Sequence, residues 1–478
     1  MTQAPSAEQT IVKNPGLIYG LNDKPPVIEA ALVALQHVLA IFAGIITPPL
    51  IISSALGLEP ADARNIISMS LFISGVATFI QIKRIGPVGS GLLSIQGTSF
   101  AFVGPIIGAG IGVTSNGGSP TDALGLIFGL CFFGAFVEIL LSRFLHLARK
   151  IITPLVTGTV VSIIGLSLIK VGVTSMGGGV PSIGAGTFGS LQNLGVAMLV
   201  LVTVIFFNSL KSPYLRMASV FIGLIVGYIV AAILGMVNFD ALKDLPLVTV
   251  PIPFRYGLKF DFVAFIPFAL LYLITTIESI GDLTATSAVS GEPVEGSVYI
   301  RRIKGGVLGD GINSLIAAVF NTFPNTTFSQ NNGVIQITGV GSRYVGFFIA
   351  GILAILGLFP IVSGLFQTLP QPVIGGATII MFASIVVAGI RILSTVALDR
   401  RALLVVGTSF AMGLGVTYMP DILNNLPPIL KSIFSSGISA GGLTAIVLNA
   451  VIPESVSDSD PESEMMEDEL GLEGEANL

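Results

Sequence analysis

Long apolar stretches, separated by short polar ones, run through almost the whole chain. Many of them reach the roughly 20 residues that a helix needs to cross a bilayer. This pattern predicts fourteen transmembrane segments, some of them short. They are expected near residues 26–55, 65–82, 92–112, 123–145, 151–171, 196–210, 217–237, 262–287, 305–323, 328–337, 345–366, 373–393, 402–418 and 436–452.

One stretch, residues 322–339 (TFPNTTFSQNNGVIQITG), interrupts the pattern by placing amides and hydroxyls at membrane depth. Pro324 lacks an N–H and disfavours helical geometry at Phe323, so a continuous helix is not expected. Irregular backbone within a bilayer is tolerated only where it is buried in protein or lines a wet cavity. The stretch therefore predicts a broken helix with a binding site for a polar solute. A re-entrant or kinked structural segment is the alternative.

This interruption has a counterpart in the other half of the chain. Residues 97–101 (GTSFA) resemble residues 325–329 (NTTFS), and residues 154–158 (PLVTG) resemble residues 372–376 (PVIGG). The two pairs have similar separations, which predicts two halves of seven segments each. Because seven is odd, the halves would be inverted in the membrane, and paired interruptions in such repeats indicate a transporter site. Chance recurrence of short strings is the alternative.

The basic residues support the number of segments and orient the chain. With the N-terminus in the cytoplasm, 16 of the 22 Lys and Arg residues fall on the cytoplasmic side, which agrees with the positive-inside rule. The other six are Arg64, Lys170, Lys243, Arg255, Lys259 and Lys431. Both termini of this multi-pass protein are therefore predicted to be cytoplasmic.

The composition agrees with a membrane protein and excludes several kinds of site. Of the 478 residues, 10% are charged and 52% are hydrophobic, whereas soluble domains have about 25% charged residues. One cysteine, Cys131, excludes a disulfide framework and a thiolate metal centre, and two histidines do not favour a metal site. There is no GxxxxGK[ST] loop and no nucleophile beside a base, so the sequence predicts neither an enzyme nor a bound cofactor. No nucleic-acid partner is expected.

The two ends differ from the apolar body. Residues 1–26 are polar, without a basic start and an apolar core, so no cleavable signal peptide is predicted. Residues 454–478 carry ten acidic residues and no basic one. Such a stretch is typical of a solvated, disordered tail.

Three carboxylates lie inside predicted segments, where each costs about 2.5–3.5 kcal/mol at the bilayer centre. Glu278 and Asp282 are one helical turn apart and share a face, and Asp310 lies in the next segment. For Glu278 we predict hydrogen bonding to a substrate and proton coupling. For Asp282 and Asp310, the same role and a structural hydrogen-bond cluster are equal alternatives.

Three other titratable residues fall in or near apolar segments. His37 lies in the first segment and is interpreted as a hydrogen-bonding residue between helices rather than a proton carrier. Glu138 and His146 fall near the cytoplasmic end of the fourth segment. There they are expected to reach water, so no transport role is predicted for them.

Several motifs together resemble those of the nucleobase–ascorbate transporter family. Residues 330–339 (QNNGVIQITG) resemble its signature of Gln or Glu, Asn, any residue and Gly, followed by a threonine. Further similar motifs are Gln36-His37, residues 90–100 (SGLLSIQGTSF), residues 277–286 (IESIGDLTAT) and residues 305–314 (GGVLGDGINS). The resemblance covers nearly the whole chain and is nearest to bacterial xanthine permeases and fungal uric acid–xanthine permeases.

The resemblance implies an all-α polytopic fold of fourteen segments in two inverted repeats. A short strand would precede a half-helix in segments 3 and 10. Residues 27–145 and 258–369 would form a core domain, and residues 146–257 and 370–452 a gate domain, with tails at 1–26 and 453–478. The resemblance further implies a homodimer formed through the gate domain, a bacterial inner membrane location, and proton-driven, elevator-type movement of the core.

The resemblance also implies a set of site residues. Glu278 and Gln330 would hydrogen-bond a purine, because a carboxylate accepts from ring N–H groups and an amide both donates and accepts. The other residues implied to bind substrate are Phe328, Ser329, Ser99 and Phe100. Supporting or proton-coupling roles are implied for Asp282, Asp310, His37, Asn331 and Thr338.

Three positions narrow the expected substrate. Gln330 stands where uracil permeases tend to have glutamate, and Gly339 replaces a basic residue that ends the motif in many members. Ser99, which fungal urate–xanthine permeases tend to share, leaves more room beside the purine than asparagine. The prediction is a proton-coupled importer of purine nucleobases, with xanthine as first and uric acid as second candidate substrate. A uracil or pyrimidine permease, and an anion channel or exchanger on the same fold, are the alternatives.

Overall fold

The computed structural model describes residues 16–145, 153–242 and 245–452, so most of the N-terminal tail, His146 and the acidic C-terminal tail lie outside it. Helices dominate the described residues, because a helix pairs its own backbone groups and so suits an apolar surrounding. The first half contains α1 (Val27–Ala55), α2 (Pro60–Lys83), α3 (Val103–Ser115), α4 (Pro120–Leu141), α5 (Pro154–Met176), α6 (Val180–Gly184), α7 (Leu191–Ser209), α8 (Pro213–Met217) and α9 (Ser219–Ile233).

The second half also consists of long and short helices. It contains α10 (Phe262–Val289), α11 (Gly296–Val319), α12 (Gln330–Thr338), α13 (Arg343–Leu358), α14 (Pro360–Gln367), α15 (Gln371–Leu393), α16 (Arg400–Tyr418), α17 (Pro428–Phe434) and α18 (Gly437–Val451). Eight helices in the described ranges are long and apolar enough to cross a membrane, or nine if α13 and α14 count as one bent span. The fourteen predicted segments all coincide with helices or with strand–helix units, but that each crosses a bilayer stays a prediction.

Two predicted segments have different limits in the structure. The ninth was expected from residue 305, but it belongs to a helix that begins at Gly296. The first turns of this helix carry Arg301 and Arg302 and lack the apolar pattern, so the pattern did not reveal them. The eleventh was expected to be continuous, but it bends by 75° between α13 and α14. The bend lies at Pro360, whose missing N–H and fixed φ end one helix and start the next.

Two short strands from opposite halves of the chain pair with each other. β1 (Gln96–Thr98) and β2 (Asn325–Thr327) pair antiparallel, with Gly97 opposite Thr326. The pairing continues beyond the strands, since Ser99 N donates to Pro324 O (2.8 Å) and Phe328 N donates to Ile95 O (3.0 Å). All six strand residues are buried, and the ladder satisfies backbone groups that could not remain unpaired in an apolar surrounding.

Each strand leads into a short helix. β1 is followed by a 3₁₀ turn (Phe100–Phe102) and α3, and β2 is followed by α12 after Phe328 and Ser329. The paired strands β1 and β2 are called the crossing below. Because they are antiparallel, the two helices leave the crossing in opposite directions. This arrangement explains why the segment predicted at residues 92–112 is helical only in its second part.

The helices α5 and α15 pack closely through glycines. A Cβ on Gly158, near the start of α5, would lie 2.9 Å from Gly389 O near the end of α15. A Cβ on Gly375, near the start of α15, would in turn lie 2.7 Å from Ser175 C at the end of α5. Each helix start therefore contacts the end of the other helix, and both starts carry the sequence repeat seen at residues 154–158 and 372–376.

The end of the N-terminal tail is bound to the segment that follows α12. Ile18 N donates to Gly339 O (2.7 Å), Gly341 N donates to Tyr19 O (2.9 Å), and Arg343 N donates to Leu21 O (3.1 Å). Gly339 has a φ of 67° and ends α12 in the left-handed conformation that glycine adopts without strain. The tail therefore fixes the position of the C-terminal end of α12.

Candidate functional site

An aromatic ring packs against one side of the crossing, and it fits there only because two neighbouring residues are glycines. The ring of Phe328 lies against Gly97 of β1 and Gly44 of α1, where an added Cβ would come within 2.5 Å and 2.8 Å of ring atoms. Phe100, at the equivalent position of the first half, makes an edge-to-face contact with Phe382 of α15, with ring centroids 5.3 Å apart. The two repeat-related phenylalanines therefore line the same crossing.

Asp310 is the most extensively bonded carboxylate near the crossing. It is fully buried on α11. Its Oδ1 accepts from Gln81 Nε2 (2.7 Å), and its Oδ2 accepts from Ser279 Oγ (2.5 Å). Because these donors lie on α2 and α10, Asp310 joins three helices.

Glu278 and Asp282 project from consecutive turns of α10. Asp282 Oδ2 accepts from Thr327 Oγ1 of β2 (3.3 Å), and Thr286, one turn further on, donates to Asn332 Oδ1 of α12 (2.8 Å). This face of α10 is thus attached both to the strand and to the helix that Gln330 begins. Glu278 Oε2 is buried and has no hydrogen-bond partner in the described part of the chain, so this oxygen can accept from a ligand.

Gln330 lies at the start of α12 and is half-buried. Together with Phe328 and Gly333 it lines a cavity of about 260 Å³, whose other walls include Met381 of α15 and Arg216. Ligand pockets usually measure about 300–1,000 Å³, so this space suits a small molecule rather than a large one. Glu278 is not among the residues that line it.

His37 on α1 and Asn331 on α12 lie next to each other, and their side chains interact. His37 is fully buried, and its ring nitrogens make no hydrogen bond of regular geometry among the described residues. Asn331 Nδ2 donates to Leu93 O (2.5 Å) just before β1, while its Oδ1 has no such partner. Asn331 therefore attaches α12 to the first half of the chain.

Thr338 and Ser329 have different surroundings. Thr338 Oγ1 donates to Val334 O (2.8 Å) and accepts from Val340 N (3.3 Å), so it stabilises the C-terminal turn of α12. Ser329 is half-buried just before α12 and makes no capping bond with its side chain. Ser99 is 2% exposed, and its Oγ has no partner in the described ranges.

Many buried polar atoms at the crossing lack a partner within the described residues. Buried polar groups are almost always hydrogen-bonded in folded proteins, so a cluster of unpaired ones indicates that a polar ligand or water binds there. The members from the two strand–helix units are the side chains of Thr98, Ser99, Asn325 and Thr326. Together they offer hydroxyl and amide groups that both donate and accept. The side chain of Gln96 instead interacts with Asp310, and that of Asn331 with His37.

The interpretation of Glu138 as a water-accessible residue was wrong. Glu138 is 2% exposed, and its Oε1 has no partner in the described part of the chain. The prediction placed it near a helix end from sequence distance alone. In the structure, α4 packs against α10 and α11 at this level and covers the side chain.

Sequence reasoning also missed Gln81 and Ser279, the two donors to Asp310. Gln81 stands in a mostly apolar helix two residues before its C-terminal end, where an amide side chain is not unusual. Ser279 lies next to Glu278 in a stretch already rich in hydroxyls. The available signal for Gln81 was a polar side chain flanked by apolar residues. That signal does not identify its partner, because Asp310 is 229 residues away in the sequence.

The chain has clear relatives among known proteins. A model described as "Permease family" matches residues 28–422. The xanthine permease XanP of Escherichia coli is 52% identical over 442 residues, which cover 92% of this chain and 96% of that protein. A uric acid-xanthine permease of Emericella nidulans is 34% identical, with coverage of 92% and 84%.

The fold is similar to that of a solved anion transporter. The transmembrane domain of a cyanobacterium bicarbonate transporter, BicA, superposes with a TM-score of 0.54 over 90% of this chain and 99% of that domain. The two sequences are 16% identical, so this likeness concerns the fold alone.

Proposed function

This chain belongs to the nucleobase–ascorbate transporter family, and we propose that it is a proton-coupled permease for xanthine. The chain's membership of this family and its apolar helices indicate a multi-pass membrane transporter rather than an enzyme. The substrate, the coupling ion and the mechanism belong to the proposal.

The observation that carries the proposal is the group of unpaired, buried polar atoms around the antiparallel β1–β2 crossing. A nucleobase presents alternating donors and acceptors along its edge, which such hydroxyl and amide groups can match. The strands that carry these atoms are fixed by their backbone ladder and by bonds to side chains of α2, α10 and α11. Binding would therefore require little reorganisation of the protein.

Glu278 and Gln330 have the principal binding roles in this proposal. Glu278 Oε2 would accept a ring N–H of the purine, and the Gln330 amide would pair with a carbonyl and an adjacent N–H. Phe100 and Phe328 would contact the faces of the base, and Ser99 and Ser329 would lie beside its five-membered ring. Asp282, Asp310, Asn331, His37 and Thr338 would support these groups or take part in proton coupling.

Xanthine is favoured over other purines and pyrimidines by the relatives and by two residues. The relative with 52% identity is named a xanthine permease. Gln330 stands where uracil permeases tend to have glutamate, which argues against uracil as the main substrate. Ser99 is small, so uric acid, which the name of the fungal relative includes, is proposed as a second substrate.

Transport by a movement between two domains is the mechanism that we propose. The cavity beside Gln330 lies between residues of the predicted core domain, Phe328 and Gly333, and of the predicted gate domain, Arg216 and Met381. A substrate held by the core at this boundary could move past a fixed, dimerised gate. The fourteen-segment inverted repeat, the cytoplasmic termini and the bacterial inner membrane location are part of the same proposal.

An anion channel or exchanger is the rival function with support from the fold, since a bicarbonate transporter shares it. The site argues against it. Pathways for anions are lined mainly by basic groups, whereas Arg216 is the one basic residue among the described lining residues of the cavity. In addition, α10 and α11 carry three buried or half-buried carboxylates, Glu278, Asp282 and Asp310.

Uptake of radiolabelled xanthine into cells that express the chain tests the proposal. One proton driven by about 100 mV supplies about 2.3 kcal/mol, which supports an inside-to-outside ratio of about 50, because about 1.4 kcal/mol is a factor of ten. A protonophore should abolish this accumulation. Glu278→Ala should weaken binding about 10- to 100-fold, the cost of one hydrogen bond to a charged group.

The matched control is Glu59→Ala, because Glu59 is exposed and makes no capping bond. It should transport like the parent chain. Accumulation that survives the protonophore would refute proton coupling. Uptake that unlabelled uracil suppresses more strongly than xanthine would refute the proposed substrate.

A further inference from the structure

Glu138 is a buried carboxylate that the proposed binding site does not use. It lies on α4, is 2% exposed, and has one oxygen, Oε1, without a partner in the described ranges. An ionised carboxylate is very costly in such surroundings unless it is paired. A group of this kind in a membrane segment needs a functional reason.

Glycine contacts bring this part of α4 against the helices that carry the site. The ring of Tyr272 on α10 lies over Gly134, and the Tyr272 hydroxyl donates to Cys131 O (2.9 Å). Glu138 is one helical turn beyond Gly134 and therefore lies on the same face. A Cβ on Gly311 of α11 would come within 3.0 Å of Ile139 N, so the residue after Asp310 contacts the residue after Glu138.

The charged groups that act on Glu138 are acidic. Asp310 on α11 and Glu278 on α10 both interact with its charge, and the phenol of Tyr272 is the other titratable group that faces it. Cys131, on the same helix, is buried next to Tyr272. Three neighbouring carboxylates cannot all be ionised at low cost, because like charges repel strongly where water is excluded.

Hydrogen bonding distinguishes the three carboxylates. Both oxygens of Asp310 accept bonds, from Gln81 and Ser279, as an ionised carboxylate does. Glu278 lies one turn before Asp282, which accepts a bond from β2, and it is the proposed acceptor for a substrate N–H. Glu138 is left as the carboxyl without a donor at Oε1 and without a place in the substrate site.

We propose that Glu138 is the residue that holds the transported proton, so that its protonation and the binding of a nucleobase at Glu278 favour each other. The inference rests on the proposed proton coupling. A proton on Glu138 removes one negative charge from the cluster and allows Glu278 to remain an ionised acceptor for the substrate. Loss of that proton would restore the repulsion and weaken substrate binding, and linkage makes the effect reciprocal.

The test is Glu138→Gln in the full-length chain, reconstituted in proteoliposomes with labelled xanthine. Glutamine has the shape of a protonated glutamate, so exchange of internal for external xanthine should stay within about two-fold of the parent chain. Accumulation driven by an imposed proton gradient should fall from about 50-fold to a ratio of about one. The pH dependence of exchange should become flatter than in the parent chain.

Two further variants separate coupling from structure. Glu138→Asp keeps a carboxyl and should retain accumulation, with a displaced pH profile. Ser142→Ala, at the C-cap of α4, four residues beyond Glu138 and equally buried, should leave both assays unchanged. If Glu138→Gln does not reach the membrane, the pH profile of Glu138→Asp decides: a displaced profile supports the inference and an unchanged one overturns it.

Two results would overturn the inference while leaving the proposed function intact. One is Glu138→Gln accumulating xanthine like the parent chain. The other is an equal loss of exchange and accumulation at a normal amount of protein, which would show a structural role. A parent chain that does not respond to the proton gradient would instead refute the proposed coupling, and this inference with it.

Discussion

Asp310 and Glu278 are both acidic residues in apolar helices, but their hydrogen bonds assign them different tasks. Asp310 accepts from a side chain on each of two other helices, whereas Glu278 Oε2 has no partner among the described residues. The first arrangement holds helices together, and the second leaves an acceptor for a ligand. Sequence spacing could not distinguish the two, because it shows which residues share a helix face but not which donors lie opposite.

We therefore expect two alanine substitutions to differ in their effect on stability. Asp310→Ala leaves a buried Ser279 hydroxyl and one Gln81 N–H unpaired, which should lower the free energy of unfolding by about 1–3 kcal/mol. Glu278→Ala removes a carboxylate with an unpaired oxygen and should change stability little. Thermal unfolding of the purified proteins in detergent measures both, with Glu59→Ala as the control. A larger loss of stability in Glu278→Ala than in Asp310→Ala would contradict this assignment.

At the scale of elements, the two strand–helix units depend on close contact between backbone and aromatic rings. Gly97 pairs with Thr326 in the ladder and also lies directly under the ring of Phe328. The sequence repeat identified both units, and Pro324 explains why the second one is not a continuous helix. Neither the repeat nor the proline indicated that the two units pair with each other.

Gly97→Ala tests this contact. The added Cβ would lie 2.5 Å from Phe328 Cζ and 2.9 Å from Ile45 Cγ1, so the ring must move away from the crossing. Overpacking of this kind costs about 1–3 kcal/mol, and we expect the xanthine concentration for half-maximal uptake to rise about 10-fold.

The matched control is Gly112→Ala on α3, where a Cβ has no atom within 4 Å. This variant should transport xanthine with unchanged affinity. Equal behaviour of the two variants would show that Phe328 does not need its position over Gly97.

At the scale of the whole molecule, the predicted orientation of the segments remains to be tested. The single cysteine, Cys131, is buried and should not react with a membrane-impermeant maleimide in the native protein. In a Cys131→Ser background, Asn116→Cys lies in the exposed connection between α3 and α4, and Glu295→Cys lies in the one between α10 and α11. The predicted topology places the first connection outside the cytoplasm and the second inside it.

Labelling of intact cells should therefore modify the Asn116→Cys variant alone. Labelling of inverted membrane vesicles should modify the Glu295→Cys variant alone. Modification of both variants from one side would mean that the number of crossings between these connections is even rather than odd. The inverted relation of the two halves would then be wrong.

The sequence by itself determined the properties that depend on neighbouring residues. Apolar runs of about 20 residues predict helices, because only a helix satisfies its own backbone within one segment. Polar residues around Pro324 predict a break, because proline acts on the residues next to it. The family motifs extended this local information to the type of transporter.

The tertiary structure decided what depends on residues that are distant in the chain. The pairing of Gly97 with Thr326, the bonds from Gln81 to Asp310 and the burial of Glu138 each join elements far apart in sequence. Whether a buried carboxylate anchors helices, binds a substrate or holds a proton depends on the donors and charges that packing places opposite it. That packing is a property of the folded chain and has no signature in the spacing of its residues.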